Sequence, residues 1–90
     1  MIDYGDATTW ILDVHTMEVR FTARHDGNDV QCRVARRAID DGFGKTASDS
    51  ERLSLAQVNF DRITDAVGER IVRHRFEPDG TVLLRDWPRE

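Results

Sequence analysis

An Asp-Gly pair at 26–27, set between two alternating runs, constrains this chain more than any other feature. Asp-Gly suits a two-residue type I′ turn, because both central residues must take positive φ. Before it, Val19, Phe21 and Ala23 alternate with Arg20, Thr22 and Arg24; after it, Val30, Cys32 and Val34 alternate with Gln31 and Arg33. A turn at this position predicts the register of a hairpin. Ala23 faces Val30, Phe21 faces Cys32 and Val19 faces Val34, all on one apolar side. On the other side Arg24 faces Asp29, an opposite-charge pair. Arg20 faces Arg33, a like pair that needs solvent or a further partner.

The flanking segments suggest what packs on that hairpin. Residues 1–7 are polar and read as a loose segment. Thr8–Leu12 has strand propensity, and Asp13–Thr16 reads as a turn. After the hairpin, Ala35–Asp41 reads as a short helix with Gly42 as its left-handed cap, and Phe43–Ala47 as a loop. Ser48 and Glu51 have the spacing of a capping box. A long helix then runs to about Arg73, with Ala56, Phe60, Ile63, Val67 and Ile71 at helical spacing, flanked by Leu53, Val58, Ala66 and Val72. Gly68, inside that helix, suggests close packing against the sheet. Pro78-Asp79-Gly80 predicts a second turn, and a second hairpin, between Arg75–Glu77 and Thr81–Arg85. The expected fold class is α+β. It is a single antiparallel or mixed sheet of about four to five strands with two β-hairpins, packed against one long and one short helix. Residues 1–90 are expected to form a single domain.

Charge and composition narrow the function classes. The chain has 13 basic and 17 acidic side chains, for a net charge of −4. Neither half is polarised, whereas a nucleic-acid-binding domain usually carries a basic stripe. Twelve of the basic residues are arginines and Lys45 is the lone lysine. That balance suits planar anion recognition, although the arginines are scattered in the way codon bias produces. A lone cysteine, Cys32, excludes an intramolecular disulfide and a cysteine-rich zinc site. The acidic N-terminus lacks an apolar signal region, and no apolar stretch is long enough to cross a membrane. A cytoplasmic setting is the expectation.

Candidate chemistry is sparse. Gly44-Lys45-Thr46 lacks the first glycine of a phosphate loop, where Ile39 stands, and it follows a helix rather than a strand. Cys32 falls on the apolar strand face, where a thiol behaves as a small hydrophobe. His15, His25 and His74 have no metal-ligand spacing. Asp40 and Asp41 diverge by about 100° on a helix and read as solvated carboxylates at its end. No motif calls for a cofactor or a metal. Trp10, Phe76 and Trp87 fall near the ends of elements, where they either close the core or, exposed together, mark an interface. Two basic clusters remain as interaction candidates: Arg36 and Arg37 on the short helix, and Arg70, Arg73, His74 and Arg75 at the end of the long one. Arg73 also follows Glu69 by four residues, a stabilising helical pair. The reading that follows is a small non-enzymatic interaction or regulatory module with a protein partner or a second copy of itself. Nucleic-acid or anion binding through the arginine clusters ranks second, and an enzyme third.

The order of these pieces resembles a bacterial family. Val19-Arg20-Phe21, Asp26-Gly27, Val30-Gln31-Cys32-Arg33-Val34 and Ala38-Ile39-Asp40-Asp41-Gly42-Phe43-Gly44 are similar to the domain-of-unknown-function family numbered 1488. Phe60-Asp61-Arg62-Ile63 and Asp79-Gly80-Thr81-Val82-Leu83-Leu84 continue the likeness, which runs from about Trp10 to Asp86. The resemblance implies an α+β fold and carries over no catalytic residue. Members often have Ser after the second hairpin strand, where this chain has Ala35; a missing helix cap is the implied consequence.

Overall fold

In the computed structural model, which describes residues 2–44 and 48–88, the hairpin register follows from its turn. The chain runs β1 (Ile2–Asp3), a 3-10 turn (Ala7–Thr9), β2 (Ile11–Asp13), β3 (Glu18–His25) and β4 (Asn28–Val34). It continues through α1 (Arg36–Phe43), α2 (Asp49–Val58) and α3 (Phe60–Val72) to β5 (Val82–Leu84). Asp26 and Gly27 take φ of 52° and 79°, the positive values a type I′ turn requires. Val19↔Val34, Phe21↔Cys32, Ala23↔Val30 and Arg24↔Asp29 are paired as expected.

The like pair Arg20↔Arg33 is resolved by Glu18. One carboxylate oxygen of Glu18 lies 3.4 Å from Arg20 Nη2 and 3.5 Å from Arg33 Nε. Asp13 adds a contact to Arg20 at 3.1 Å, and Asp79 approaches Arg33 at 3.9 Å. This network lies on the sheet face away from the core, and Thr22 Oγ1 donates to Gln31 Oε1 beside it at 3.2 Å.

The sheet is mixed. β1 and β2 share one edge of β3, β4 lies on the other side of β3, and β5 pairs parallel to β4. Residues 1–7 were expected to be loose, but Ile2 and Asp3 pair with His25 and Arg24. Ile2 and Tyr4 pack on the core, which holds this segment down. The second hairpin does not form either. Gly80 N–H donates to the Glu77 carbonyl and Glu77 N–H to the Thr81 carbonyl, so the turn is real. The segment before it, Arg75–Glu77, forms no strand and has no strand partner among the described residues. Val82 and Leu84 instead align with Cys32 and Val34 and bury fully on the same face. A parallel pair needs a long crossover, and α1, α2 and α3 supply it.

The long helix is two helices. Asn59, at φ −98° and ψ 28°, ends α2 and begins α3. Its side-chain amide donates to the Leu55 carbonyl at 2.9 Å, competing with the regular ladder as asparagine does. Ser48 Oγ accepts from Glu51 N–H at 3.3 Å and caps α2. Gly42 lies inside α1, and Gly44, at φ 98°, is the cap. Of the loop expected at Phe43–Ala47, residues 45–47 fall outside the described residues, as do Lys45 and Thr46 of the rejected phosphate loop.

One core joins these pieces. Ile63, Val67 and Ile71 of α3 and Ala38 and Ile39 of α1 bury against Val19, Phe21, Cys32, Val34, Val82 and Leu84. Trp10 is buried and stacks on Phe21 at 4.2 Å, closing one end. Trp87 packs edge-on to Phe43 at 4.6 Å, closing another. Arg62 lies over both the Phe43 and Trp87 rings, at 4.8 and 5.4 Å. Gly68 does mark close packing, but against a side chain: a Cβ there would lie 2.6 Å from Tyr4 Oη. Asp40 is drawn inward instead of solvating the helix end, and lies 3.9 Å from the Nε of buried Arg52.

Candidate functional site

The end of α3 is shaped by its last hydrogen bonds. Arg73 is the cap residue, and His74 follows in the left-handed region at φ 55°. His74 N–H donates to the Ile71 carbonyl at 3.1 Å and Arg75 N–H to the Arg70 carbonyl at 2.8 Å. These two bonds are those of a Schellman motif. The chain therefore folds back on the last helical turn and sets Arg75 beside Arg70.

Arg70 and Arg75 line a cleft of about 440 Å³ between the helix end and β5. Phe76, Glu77 and Leu83 form part of its wall, with Arg85 and Asp86 at the end of β5. Arg85 Nη2 meets Glu77 Oε1 at 2.6 Å, and this hydrogen bond, followed by the charge of Glu77, raises the guanidinium pKa further. Asp86 Oδ1 accepts a contact from Arg37 Nε at 2.9 Å. Phe76 and Val72 keep 39% and 64% of their surface exposed.

The sequence candidates divide accordingly. Arg70 and Arg75 reach the same cleft. Arg73 turns to Glu69 at 3.0 Å, and the His74 ring lies 6.2 Å from that of Phe76. Arg36 pairs with Asp40 at 3.7 Å. Arg37 stands one contact away from the cleft, through Asp86. Arg85 was missed as a candidate because its place beside Glu77 follows from the parallel pairing of β5. The Phe76-Glu77 segment next to Pro78 was a visible signal, read instead as a strand.

Two other concavities lack such a charge pattern. One, of about 430 Å³, lies where β1 and β2 leave the middle of β3 uncovered, near Tyr4, Thr22 and Gln31. The other is a shallow apolar surface on α2 around Leu55 and Val58. Among the described residues, no cluster of His, Cys, Asp and Glu has an arrangement that could hold a metal ion. No helix among them is long and apolar enough to cross a membrane.

The architecture is that of a small two-layer α+β domain, with helices on one face of a mixed sheet and an arginine-lined cleft at the sheet's end. The family model described as "Protein of unknown function (DUF1488)" matches residues 5–84, and the chain belongs to that family. A solved structure of a protein of unknown function from the same family, from Shewanella loihica PV-4, is similar in fold. It superposes with a TM-score of 0.82 at 19% identity, covering 94% of this chain and 92% of that one. No curated protein matches the sequence.

Proposed function

We propose that this protein is a small non-enzymatic interaction module that engages an acidic protein partner through the end of α3. One observation carries the reading: Val72 and Phe76 stay exposed beside Arg70, Arg73, His74 and Arg75. Interface anchors are enriched in aromatic residues and arginine, and apolar contact excludes water from the charged contacts around it. A second copy of the chain is the other candidate occupant, through the same patch on both copies. A cytoplasmic setting suits the single free, buried thiol of Cys32.

The test is a tagged pull-down from native lysate with wild type, Phe76→Ala and Arg75→Gln, with and without nuclease and at two salt concentrations. A nuclease-resistant protein captured by wild type and lost in both variants supports the module. Capture indifferent to both variants removes this surface. A second reading, nucleic-acid binding, draws on Arg70, Arg75 and Arg85 meeting at one cleft. Its mark is capture abolished by nuclease and steeply weakened by salt; the net charge of −4 weighs against it.

A further inference from the structure

We infer that the cleft between the end of α3 and β5 is a binding site for a phosphomonoester dianion, held between Arg70 and Arg75 with its carrier against Phe76. This deepens the interaction-module reading by naming the group that a partner presents.

The charge balance selects the ligand. Arg85 is matched by Glu77 at 2.6 Å, and Asp86 by Arg37 at 2.9 Å. Arg37 is shared with Asp41 at 3.8 Å. Arg70 and Arg75 have no carboxylate within ion-pair distance among the described residues, so both guanidiniums are open to an anion in the cleft. A phosphomonoester carries about −1.5 to −2 at neutral pH, while a carboxylate carries half of that. Two guanidiniums lining one cleft supply N–H donors of the kind that pair with phosphate oxygens, for which arginine exceeds lysine. The cleft volume, about 440 Å³, falls in the range that holds a small ligand or a single side chain. Half-exposed Phe76 offers an apolar face to whatever bears the phosphate.

The Schellman motif preorganises the pair. Because Arg75 N–H is bonded to the Arg70 carbonyl at 2.8 Å, the two backbones are already held together. Binding then orders only two side chains, which lowers its entropic cost.

The experiment titrates the isotope-labelled full chain with phenyl phosphate, following backbone amide shifts. Benzoate serves as the monoanion comparator. Binding on the order of 1 mM is expected, with shifts concentrated at residues 70–77 and 83–86. Arg70→Gln and Arg75→Gln should each weaken it by about tenfold or more, as loss of a charge-assisted hydrogen bond does. Arg36→Gln, outside the cleft, should leave it unchanged. Circular dichroism and melting of each variant confirm that it is folded. Equal affinity for benzoate, shifts elsewhere, no binding, or full binding by both arginine variants overturns the inference. A phosphotyrosine peptide bound tighter than phenyl phosphate places the dianion on a protein segment; equal affinity makes a free phosphate ester the ligand. If phenyl phosphate fails while Phe76-dependent partner capture persists, only this inference falls. If it binds and no Phe76-dependent capture exists, the interaction-module reading falls and the phosphate site stands.

Discussion

Arg75 donates its backbone N–H to the carbonyl of Arg70 at 2.8 Å, and the residue between cap and return, His74, adopts φ 55° to allow it. Glycine is the usual occupant of that position, because a Cβ there is strained. His74→Gly should therefore raise stability by about 1 kcal/mol, or about 4–8 °C in Tm for a domain of this size. His74→Val, β-branched, should lower it. Thermal melts of the two variants check this. A lower Tm for His74→Gly would mean that the imidazole contact with Phe76 outweighs the strain.

Gly42 offers the opposite case, a glycine inside a helix whose replacement should hurt. An alanine usually improves a helix interior by about 1 kcal/mol. Here its Cβ would lie 2.7 and 2.8 Å from two ring atoms of Trp87. That ring also packs on Phe43, so it yields only by leaving its contact. Gly42→Ala should destabilise by about 1–2 kcal/mol in urea denaturation. In a Trp87→Ala background the same change should stabilise. A cycle with no such sign reversal would remove the steric explanation.

The first turn of α1 lacks a cap. Ala35 sits at the N-cap in extended conformation, and no side chain accepts a hydrogen bond there. Its own N–H is already used, donating to the Leu84 carbonyl at 2.9 Å. Ala35→Ser keeps that bond and adds an oxygen for an orphan N–H of the first turn. The expected gain is about 1 kcal/mol, read as a raised urea midpoint with an unchanged m-value. No gain would indicate that water already satisfies those donors.

Glu18 holds the open sheet face together electrostatically. Its carboxylate lies between two arginines that the hairpin register places directly opposite each other. Glu18→Gln leaves that like-charge pair facing across the strands with less compensation, at a cost of about 1–2 kcal/mol. The double change Glu18→Gln with Arg33→Gln should recover most of the loss. Urea denaturation at low and high salt separates the effect, since salt should shrink the penalty. A loss insensitive to Arg33→Gln would assign it to packing.

Legibility followed the range of the determining contact. The hairpin was readable because its turn and its two alternations are all local to residues 18–34, and they agreed. The parallel partner of β4 was not, because the crossover between them spans three helices and no local signal encodes it. Pro78-Asp79-Gly80 was a correct turn attached to the wrong partner. The break at Asn59 was hidden because Ala56, Phe60 and Ile63 keep helical spacing straight across it. The site divided in the same way. Arg70 and Arg75 were named together because they are near neighbours in sequence, while Arg85 and Asp86 joined them only through the pairing of β5.

Two acids, buried Cys32 and partly buried Tyr4, should weaken the fold at alkaline pH. Burial pushes the Cys32 thiol up from 9.0 to about 12, and pushes the Tyr4 phenol up from 10.0 to about 12, with smaller contributions from the charges of Cys32 and Asp65. In both, the fold favours the neutral form, so the pKa is higher folded than unfolded. Their contribution is complete below the unfolded values and is lost as pH rises through the folded ones. Stability should thus hold from neutral pH to about 9 and fall between about 9 and 12. The same burial shields the thiol, whose Sγ–H donates to the Val30 carbonyl at 3.5 Å. Reaction with an aromatic disulfide reagent at pH 8 should wait for opening of the sheet, and run at full speed only in denaturant. Urea titrations from pH 7 to 11 on wild type, Cys32→Ala and Cys32→Ala with Tyr4→Phe check both points. Each removal should flatten part of the alkaline fall, and an undiminished slope in the double variant would show that other groups cause it.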